Sequence, residues 1–374
     1  MFTHSLHLLL GIAHFTEHMC FLGSKAYPEE NEYKQYLAKN GGKSNASTSM
    51  SHVSSIIISY LYLLLHTQND ILPNISCIRY SLYQTTYQFD VLAEHGEKAL
   101  DIFSNFFVDP LFTKSGTQRE VNAVDSENSK NLISDGRRRW QILKSLADDK
   151  HHFSKFSTGN RITLPACVDE GNADSNDNEK KNKHPLEDIL KDISKDGKYN
   201  SEDLAELVRA TLLAFHVRHY RPQNMTAVMI GPQTLDELES WALPRFGLIP
   251  DRWLMNKKNG DKDVNNNDDS SEKWKAMQTA AAKLVEEASN DAPPVSDEET
   301  VEHNSAFRPE LQGGKWPVIA TTKPIQSVRK LVLFFPLPPV QNLDQSPTSG
   351  ELQLRLSCNL ILSYSYPHSS FSIQ

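Results

Sequence analysis

The sequence predicts a fold that combines helices and strands, which we assign to the α+β class. Residues 85–94, TTYQFDVLAE, alternate between polar and apolar side chains, as a half-buried strand does. The following GEKALDIFSNFFVDPLF has apolar residues at helical spacing and ends near Pro110. From Thr117 to about Leu146 there are few helix-breaking residues, which predicts a long helix. Strand and helix thus follow one another along the chain.

The other elements are predicted from their end signals. Gly11 to about Leu37 reads as helix, interrupted at YPEEN, where Pro28 can start a second helix. NGGKSN ends that helix, and ASTSM begins a strand. Farther on, SEDLAELVRATLLAFHVRHY predicts a helix and MTAVMIG a compact buried strand. TLDELESWA predicts a helix with a capping box formed by Thr234 and Glu237.

Length and composition divide the chain into a large domain, a linker and a smaller fragment. At 374 residues the chain has room for two domains of roughly 150 residues each. We place the first domain at residues 1–250, with a polar insertion at residues 168–200. Residues 251–305 are rich in Lys, Asn, Asp and Glu and predict a disordered acidic linker with one helix at WKAMQTAAAKLVEEA. Residues 306–374 are then a fragment of a second domain.

Charge and cysteine content exclude several classes of protein. A net charge of −8 disfavours a nucleic-acid partner. The four cysteines lie far apart without a C-x-x-C pair, which favours a reducing compartment, and the apolar start SLHLLLGIA has no basic region before it. Ile56 to Leu65 is about ten residues long, whereas a membrane-spanning helix needs about 20. We therefore expect a cytoplasmic chain, with the mitochondrion as the alternative, that is neither secreted nor bound to a membrane.

One short motif carries recognisable chemistry. His14, Glu17 and His18 spell H-x-x-E-H in a helical segment. Two histidines four residues apart lie about 6 Å apart along one helix face, so both can bind one zinc ion. Glu17 falls beside that face and could take a proton from a zinc-bound water, as the general base of amide hydrolysis does. The alternative is a chance match on a surface helix, because five letters are only moderately specific.

A catalytic zinc site needs a third protein ligand and one open position. The long helix offers three acidic candidates, Glu120, Asp125 and Glu127. Glu120 and Glu127 are seven residues apart and share a face, so one could bind zinc while the other orients a histidine. For the remaining histidine pairs, His151 with His152 and His216 with His219, we expect structural or solvated roles.

The H-x-x-E-H motif belongs to a longer set of segments that resembles a known family. The chain resembles the insulin-degrading enzyme and nardilysin branch of the pitrilysin family of inverted zinc metallopeptidases. The matching segments occur in family order over about Gly11 to Pro250, with a fainter match at ATTKPIQSVRKLVLFFPLP. They are GIAHFTEHMCFLGSKAYPEENEYKQYLAKNGGKSNAST, YQFDVLAEHGEKALDIFSNFFVDPLF, REVNAVDSENSKN, HFSKFSTGN and FHVRHYRPQNMTAVMIGPQTLDELE.

The resemblance implies roles for individual residues. His14 and His18 match the zinc ligands, and Glu17 matches the catalytic base. Glu127 matches the third ligand, and Glu120 matches an acid that supports a ligand. One Zn²⁺ per chain is implied.

Fold and substrate class are implied in the same way. The family fold is a mostly antiparallel sheet covered by helices, and residues 306–374 match the start of a second such domain. The SNAST segment matches the edge that contacts substrate, where the backbone of Asn45 and Ala46 would pair with an extended peptide. The implied activity is endopeptidase cleavage of short, flexible peptides.

The chain also departs from the family pattern. It lacks the far half of the enzyme, its first residues replace the strands that lead into the zinc helix, and residues 51–83 form an insertion. We expect a truncated or mis-spliced form of a longer peptidase, whose partners are peptide substrates and a second peptidase half or further copies of itself. The alternative functions are a catalytically incomplete fragment that binds zinc and peptides or a partner half without turnover, and a non-catalytic scaffold.

Overall fold

The computed structural model describes residues 10–49, 55–62, 84–148, 152–165, 186–194, 198–259, 271–290, 319–326, 330–336 and 359–365. The chain forms two compact units. The first comprises Met1–Ile75, Tyr83–Asn128 and Phe156–Ala292, and the second comprises Ser76–Leu82, Ser129–Lys155 and Pro293–Gln374.

Helices predominate over strands in the described residues. The helices are α1 (Ile12–Cys20), α2 (Glu32–Lys39), α3 (Gly96–Val108), α4 (Lys114–Leu132), α5 (Asp135–Ser145), α6 (Leu186–Ile193), α7 (Ser201–His219), α8 (Leu235–Phe246), α9 (Arg252–Asn259) and α10 (Glu272–Asn290). The strands are β1 (Lys43–Ser49), β2 (Ser55–Tyr62), β3 (Gln84–Asp90), β4 (Met225–Ile230), β5 (Lys330–Pro336) and β6 (Asn359–Ser365). The predicted α+β class is confirmed.

A four-stranded sheet in the order β1-β3-β2-β4 forms the frame of the first unit. β1 and β3 are antiparallel, whereas β2 runs parallel to both of its neighbours, so this sheet is mixed. β2 lies inside the predicted insertion at residues 51–83, most of which falls outside the described residues. This described part of the insertion is therefore a strand of the sheet.

Helices α1, α2, α3 and α7 bury their apolar faces in one core with the sheet. Four aromatic rings from three elements meet there, with centroids 4.8 to 6.2 Å apart in edge-on and tilted arrangements. They belong to Tyr33, Phe89, Phe103 and Phe106. Each ring that is fully removed from water contributes roughly 1.5–3 kcal/mol.

Part of the predicted linker belongs to this core. Helix α10 buries Trp274, Met277 and Ala281, and the Arg209 guanidinium of α7 lies 4.9 Å from the centre of the Trp274 ring. The helix expected at WKAMQTAAAKLVEEA therefore forms, and it is buried in the core, which the sequence did not predict. Its buried positions recur at helical spacing within a polar composition, so average composition misrepresents it.

Two further elements differ from their predicted form. The long helix predicted from Thr117 is two helices, because α4 ends at Leu132 and α5 begins at Asp135. The MTAVMIG strand was expected to be buried, yet in β4 Thr226, Ala227 and Val228 are exposed. β4 lies at one end of the sheet, and an apolar run alone does not distinguish an end strand from a central one.

The second unit contains α5, the segment 319–326 and an antiparallel pair of strands, β5 and β6. The Asp135 carboxylate at the start of α5 accepts backbone N–H bonds from Ile325 and Gln326 at 3.0 Å. Arg138 donates to the Lys323 carbonyl at 3.0 Å. The segment is therefore fastened to the first turn of α5.

No helix among the described residues has both the length and the apolar character needed to cross a membrane.

Gly11, which precedes α1, is expected to tolerate no side chain. Its φ is 87°, and an added Cβ would lie 2.4 Å from the Cα of Gly159. Gly11→Ala is therefore expected to lower the free energy of unfolding by about 2–4 kcal/mol, through strain and backbone displacement. Urea denaturation measures this. Gly136→Ala in α5, where a Cβ would meet only side-chain atoms at 3.8 Å or more, serves as the control.

A destabilisation by Gly11→Ala no larger than that caused by Gly136→Ala would contradict the close approach of the two backbones.

Candidate metal centre and active site

Helix α1 presents two histidines to one point. Its buried side chains, including Phe15 and Met19, anchor the helix in the core. His14 and His18, one turn apart, are partly buried, with their Nε2 atoms 3.2 Å apart. The two imidazole rings thus converge on one side of the helix, as the motif predicts.

Helix α4 brings two carboxylates to these histidines. Glu127 Oε2 lies 3.3 Å from His14 Nε2 and 3.7 Å from His18 Nε2. Glu120 Oε1 lies 2.7 Å from His18 Nδ1. Asp125, the third acidic candidate, instead accepts the backbone N–H of Arg161 at 3.1 Å. The structure therefore distinguishes three carboxylates between which spacing alone left a choice.

The hydrogen bonds at Nδ1 determine which ring nitrogens can bind a metal. His14 Nδ1 lies 2.7 Å from the Thr158 carbonyl oxygen, which can only accept a hydrogen bond. His18 Nδ1 faces the Glu120 carboxylate, also an acceptor. Both Nδ1 atoms must therefore carry hydrogen, which leaves a lone pair on each Nε2 of the neutral rings.

The three atoms that converge are consequently all acceptors. They are the Nε2 atoms of His14 and His18 and a carboxylate oxygen of Glu127, all within 4.8 Å of one another. Three lone-pair-bearing atoms this close need a cation or a proton between them. Among the described residues, this is the one group of side chains that could hold a metal ion.

The dimensions of the group fit zinc. A tetrahedral zinc ion with bonds of about 2.0–2.1 Å separates its ligand atoms by roughly 3.3–3.4 Å. The three separations here are 3.2, 3.3 and 3.7 Å. Two imidazoles and one carboxylate are also a ligand set typical of catalytic zinc.

Glu17 lies next to this group, and its carboxylate is hydrogen-bonded to a residue outside the group. Its residue is 5% exposed, and its Oε2 accepts a hydrogen bond from the Thr48 hydroxyl at 2.5 Å. Burial raises the pKa of Glu17, and the Thr48 bond and the two histidines offset part of that rise. Glu17 is thus a buried carboxyl group poised to hold a proton more readily than an exposed one.

In the absence of metal, His18 holds a proton over much of the neutral pH range. Burial lowers the pKa of His18, but hydrogen bonds to Glu120 and Glu127 outweigh burial and raise it to about 9. Hydrogen bonds from His14 and His18 hold the pKa of Glu127 well below its usual range. In the metal-free chain, the proton on His18 therefore stabilises the fold fully below about pH 6.5, and this contribution is lost as pH rises through about 9.

Zinc must displace that proton, which predicts a pH dependence of binding. Below about pH 9, the apparent zinc affinity is expected to fall about tenfold for each unit that pH decreases. Competition with a chromophoric chelator at pH 6.5, 7.5 and 8.5 measures the slope. Glu120→Gln removes a cause of the raised pKa of His18, so the dependence of zinc affinity on pH should become less steep in this variant. Equal affinities at pH 6.5 and 8.5 would contradict this prediction.

The residues predicted to contact substrate lie on β1. Asn45 and Ala46 pair through the backbone with Gln88 and Tyr87 of β3. β1 is an end strand of the sheet, so its second edge faces no other strand in the described part of the chain. An edge of this kind can pair with an extended peptide.

The other predicted histidines lie apart from the centre. His216 is buried and its ring stacks on Tyr220 at 4.4 Å, and burial, then repulsion from Arg252, lowers its pKa to about 3. His219 packs against Phe215. The side chains of His151 and His152 lie outside the described part of the structure.

Two contributors to the site were missed from the sequence. One is the Thr158 carbonyl that holds His14, and the other is the Thr48 hydroxyl that holds Glu17. A main-chain carbonyl leaves no signal in residue type. Strand alternation places Thr48 on the same face of β1 as Ala46, but it does not specify that this face meets Glu17.

Comparisons with known proteins find similar families. The family model described as Insulinase (Peptidase family M16) matches residues 7–57 and 76–150, and the Peptidase M16 inactive domain model matches residues 206–354. Residues 58–75, which the first match omits, lie inside the predicted insertion at residues 51–83.

Several relatives match a similar share of the chain. Human insulin-degrading enzyme is 34% identical over 244 residues, which is 65% of this chain and 18% of that protein. The A-factor-processing enzyme of Saccharomyces cerevisiae is 36% identical over 238 residues, or 64% of this chain and 17% of that protein. Among solved structures, the crystal structure of pitrilysin is 24% identical with a TM-score of 0.43, over 65% of this chain and 19% of that one. The chain thus spans less than a fifth of these proteins.

Proposed function

Because the chain carries domains of the insulinase family, peptidase family M16, we propose that it is a zinc-dependent metalloendopeptidase that hydrolyses short, flexible peptides. The observation that carries the proposal is the convergence of three acceptor atoms, from His14, His18 and Glu127, beside the buried carboxyl group of Glu17. Glu120 completes the arrangement by holding His18 through Nδ1.

Three residues of the centre would bind zinc, and a fourth would transfer protons. His14, His18 and Glu127 would hold zinc, which when bound polarises a peptide carbonyl and makes water more acidic. Glu17 takes a proton from the attacking water as oxygen adds to the carbonyl carbon. It then gives the proton to the amide nitrogen as the C–N bond breaks, so acid and amine products leave and Glu17 is regenerated.

Substrate would be aligned by the edge of β1 that faces no other strand among the described residues. The backbone of Asn45 and Ala46 can add a peptide strand to the sheet there. Strand addition uses main-chain hydrogen bonds and demands an extended segment, so it favours flexible peptides over folded proteins.

A second candidate is a fragment that binds zinc and peptides without turnover. The matched region spans 18% of human insulin-degrading enzyme. On this proposal a partner half or a second copy of the chain supplies the missing substrate contacts.

We place the protein in a reducing compartment such as the cytoplasm. Cys20 is a free, fully buried thiol, and burial raises its pKa to about 12, which keeps it unreactive. A structural thiol of this kind needs no oxidising environment.

Metal analysis combined with a peptide assay tests these proposals. The purified chain is expected to contain one zinc ion and to cleave an internally quenched peptide. Chelation should abolish cleavage and added zinc should restore it. Zinc without cleavage would support the second candidate, whereas a chain that binds no zinc at neutral pH would contradict both.

A further inference from the structure

We infer that Thr48 and Thr85 form a hydroxyl pair that orients the Glu17 carboxylate for proton transfer. Thr48 is thus a positioning residue, and this role rests on the function proposed above. The two threonines lie on neighbouring strands outside the group that would hold zinc. Thr48 acts on the reaction through Glu17.

The contacts form a short chain into the interior. Thr48 Oγ1 lies 2.5 Å from Glu17 Oε2 and 3.0 Å from Thr85 Oγ1. Thr85 is fully buried, and Glu17 is 5% exposed, so water does not compete freely for these bonds. Among the described residues, Thr48 makes the one hydrogen bond found on the Glu17 carboxylate.

The direction of each bond follows from the number of available hydrogens. A hydroxyl has one hydrogen to donate, and an ionised carboxylate can only accept. The Thr48 hydroxyl must therefore donate its hydrogen bond to Glu17 and accept one from the Thr85 hydroxyl. Thr85 thereby prevents the Thr48 hydroxyl from rotating away, and its donation strengthens the bond to Glu17.

The sheet holds the pair in register. Thr48 and Thr85 are directly opposite each other in the antiparallel ladder of β1 and β3. Both side chains are branched at Cβ and have few rotamers available. The strands therefore present the Thr48 hydroxyl to Glu17 at a nearly fixed point.

This arrangement has a consequence for Glu17. His14, His18 and Glu127 all act electrostatically on its carboxyl group. The Thr48 bond holds Oε2 and leaves Oε1 for the attacking water. Because Ala46 lies two residues away on the same strand, the element that would align the peptide also aligns the base.

Activity measurements on the zinc-loaded chain test the role of Thr48. Thr48→Val removes the hydroxyl and keeps the shape, so kcat is expected to fall at least about tenfold while KM stays within about twofold. Thr48→Ser keeps the hydroxyl and should recover most of kcat. Thr85→Val should lower kcat less than Thr48→Val does. Thr211→Val on α7, which removes a buried hydroxyl bonded to the Leu207 carbonyl, is the matched control.

A readout without activity separates this inference from the proposed function. In urea denaturation, the midpoint shifts caused by Glu17→Ala and Thr48→Val are expected to be non-additive in the double variant. Glu17→Ala combined with Thr211→Val should be additive. If the wild-type chain cleaves no peptide, the proposed function fails while this coupling still tests the bond.

Two results would overturn the inference. One is additivity of Glu17→Ala and Thr48→Val. The other is an active chain in which Thr48→Val has the kcat of the wild type, or in which Thr48→Ser loses as much kcat as Thr48→Val. Bound zinc should be equal in all of these threonine variants, so a loss of zinc from Thr48→Val would also count against a role confined to Glu17.

Discussion

Replacing Glu17 with Gln is expected to lower kcat for peptide hydrolysis by about 10²- to 10⁴-fold and to leave zinc content unchanged. The amide keeps the shape of the side chain and still accepts the Thr48 hydrogen bond, but it cannot take a proton from water. Glu17 is not one of the three residues that would hold zinc, which are His14, His18 and Glu127, so metal binding should survive.

Steady-state kinetics with a quenched peptide and metal analysis of the same sample measure both effects. Glu239→Gln, at an exposed position of α8, is the control for losing one negative charge. A Glu17→Gln variant that keeps more than about a tenth of wild-type kcat would exclude Glu17 as the general base.

Replacing Glu127 with Ala is expected to weaken zinc binding at least about 100-fold. The substitution removes one of three converging acceptors and leaves two histidine nitrogens 3.2 Å apart without the carboxylate. It also removes the negative charge that favours a cation there. Zinc affinity measured against a competing chelator detects the loss.

The matched control for this prediction is Asp125→Asn on the same helix. Asp125 bonds to the backbone of Arg161 and takes no part in the group that would hold zinc, so zinc affinity should not change. If Glu127→Ala keeps an affinity within about tenfold of the wild type, Glu127 is not a ligand.

Most of the local structure could be predicted from the sequence. The capping box of Thr234 and Glu237 forms as predicted, because both partners are three residues apart. The strand and helix predicted between Thr85 and Pro110 also form. These elements follow from periodicity and end signals that act within a few residues.

Predictions that required knowledge of neighbours were less successful. The end position of β4 depends on which strands the sheet brings beside it. Helix α10 is ordered because it packs in one core with the apolar face of α7, which lies about 70 residues earlier in the chain. Composition averages over a segment, so it recorded the polar side of α10 and overlooked its buried stripe.

The sequence by itself determined which side chains of the centre share a helix face. The spacing of His14, Glu17 and His18 within one helix, and of Glu120 and Glu127 within another, follows from 3.6 residues per turn. Helix geometry therefore settles which side chains share a face.

Only the tertiary structure decided how these faces meet. It set Glu127 against the Nε2 atoms, Glu120 against His18 Nδ1 and Asp125 against Arg161. It also brought Thr48 to Glu17 and the Thr158 carbonyl to His14, across 31 and 144 positions of the chain. The physical reason is that such contacts depend on packing between elements, and no local periodicity specifies which faces will pack together.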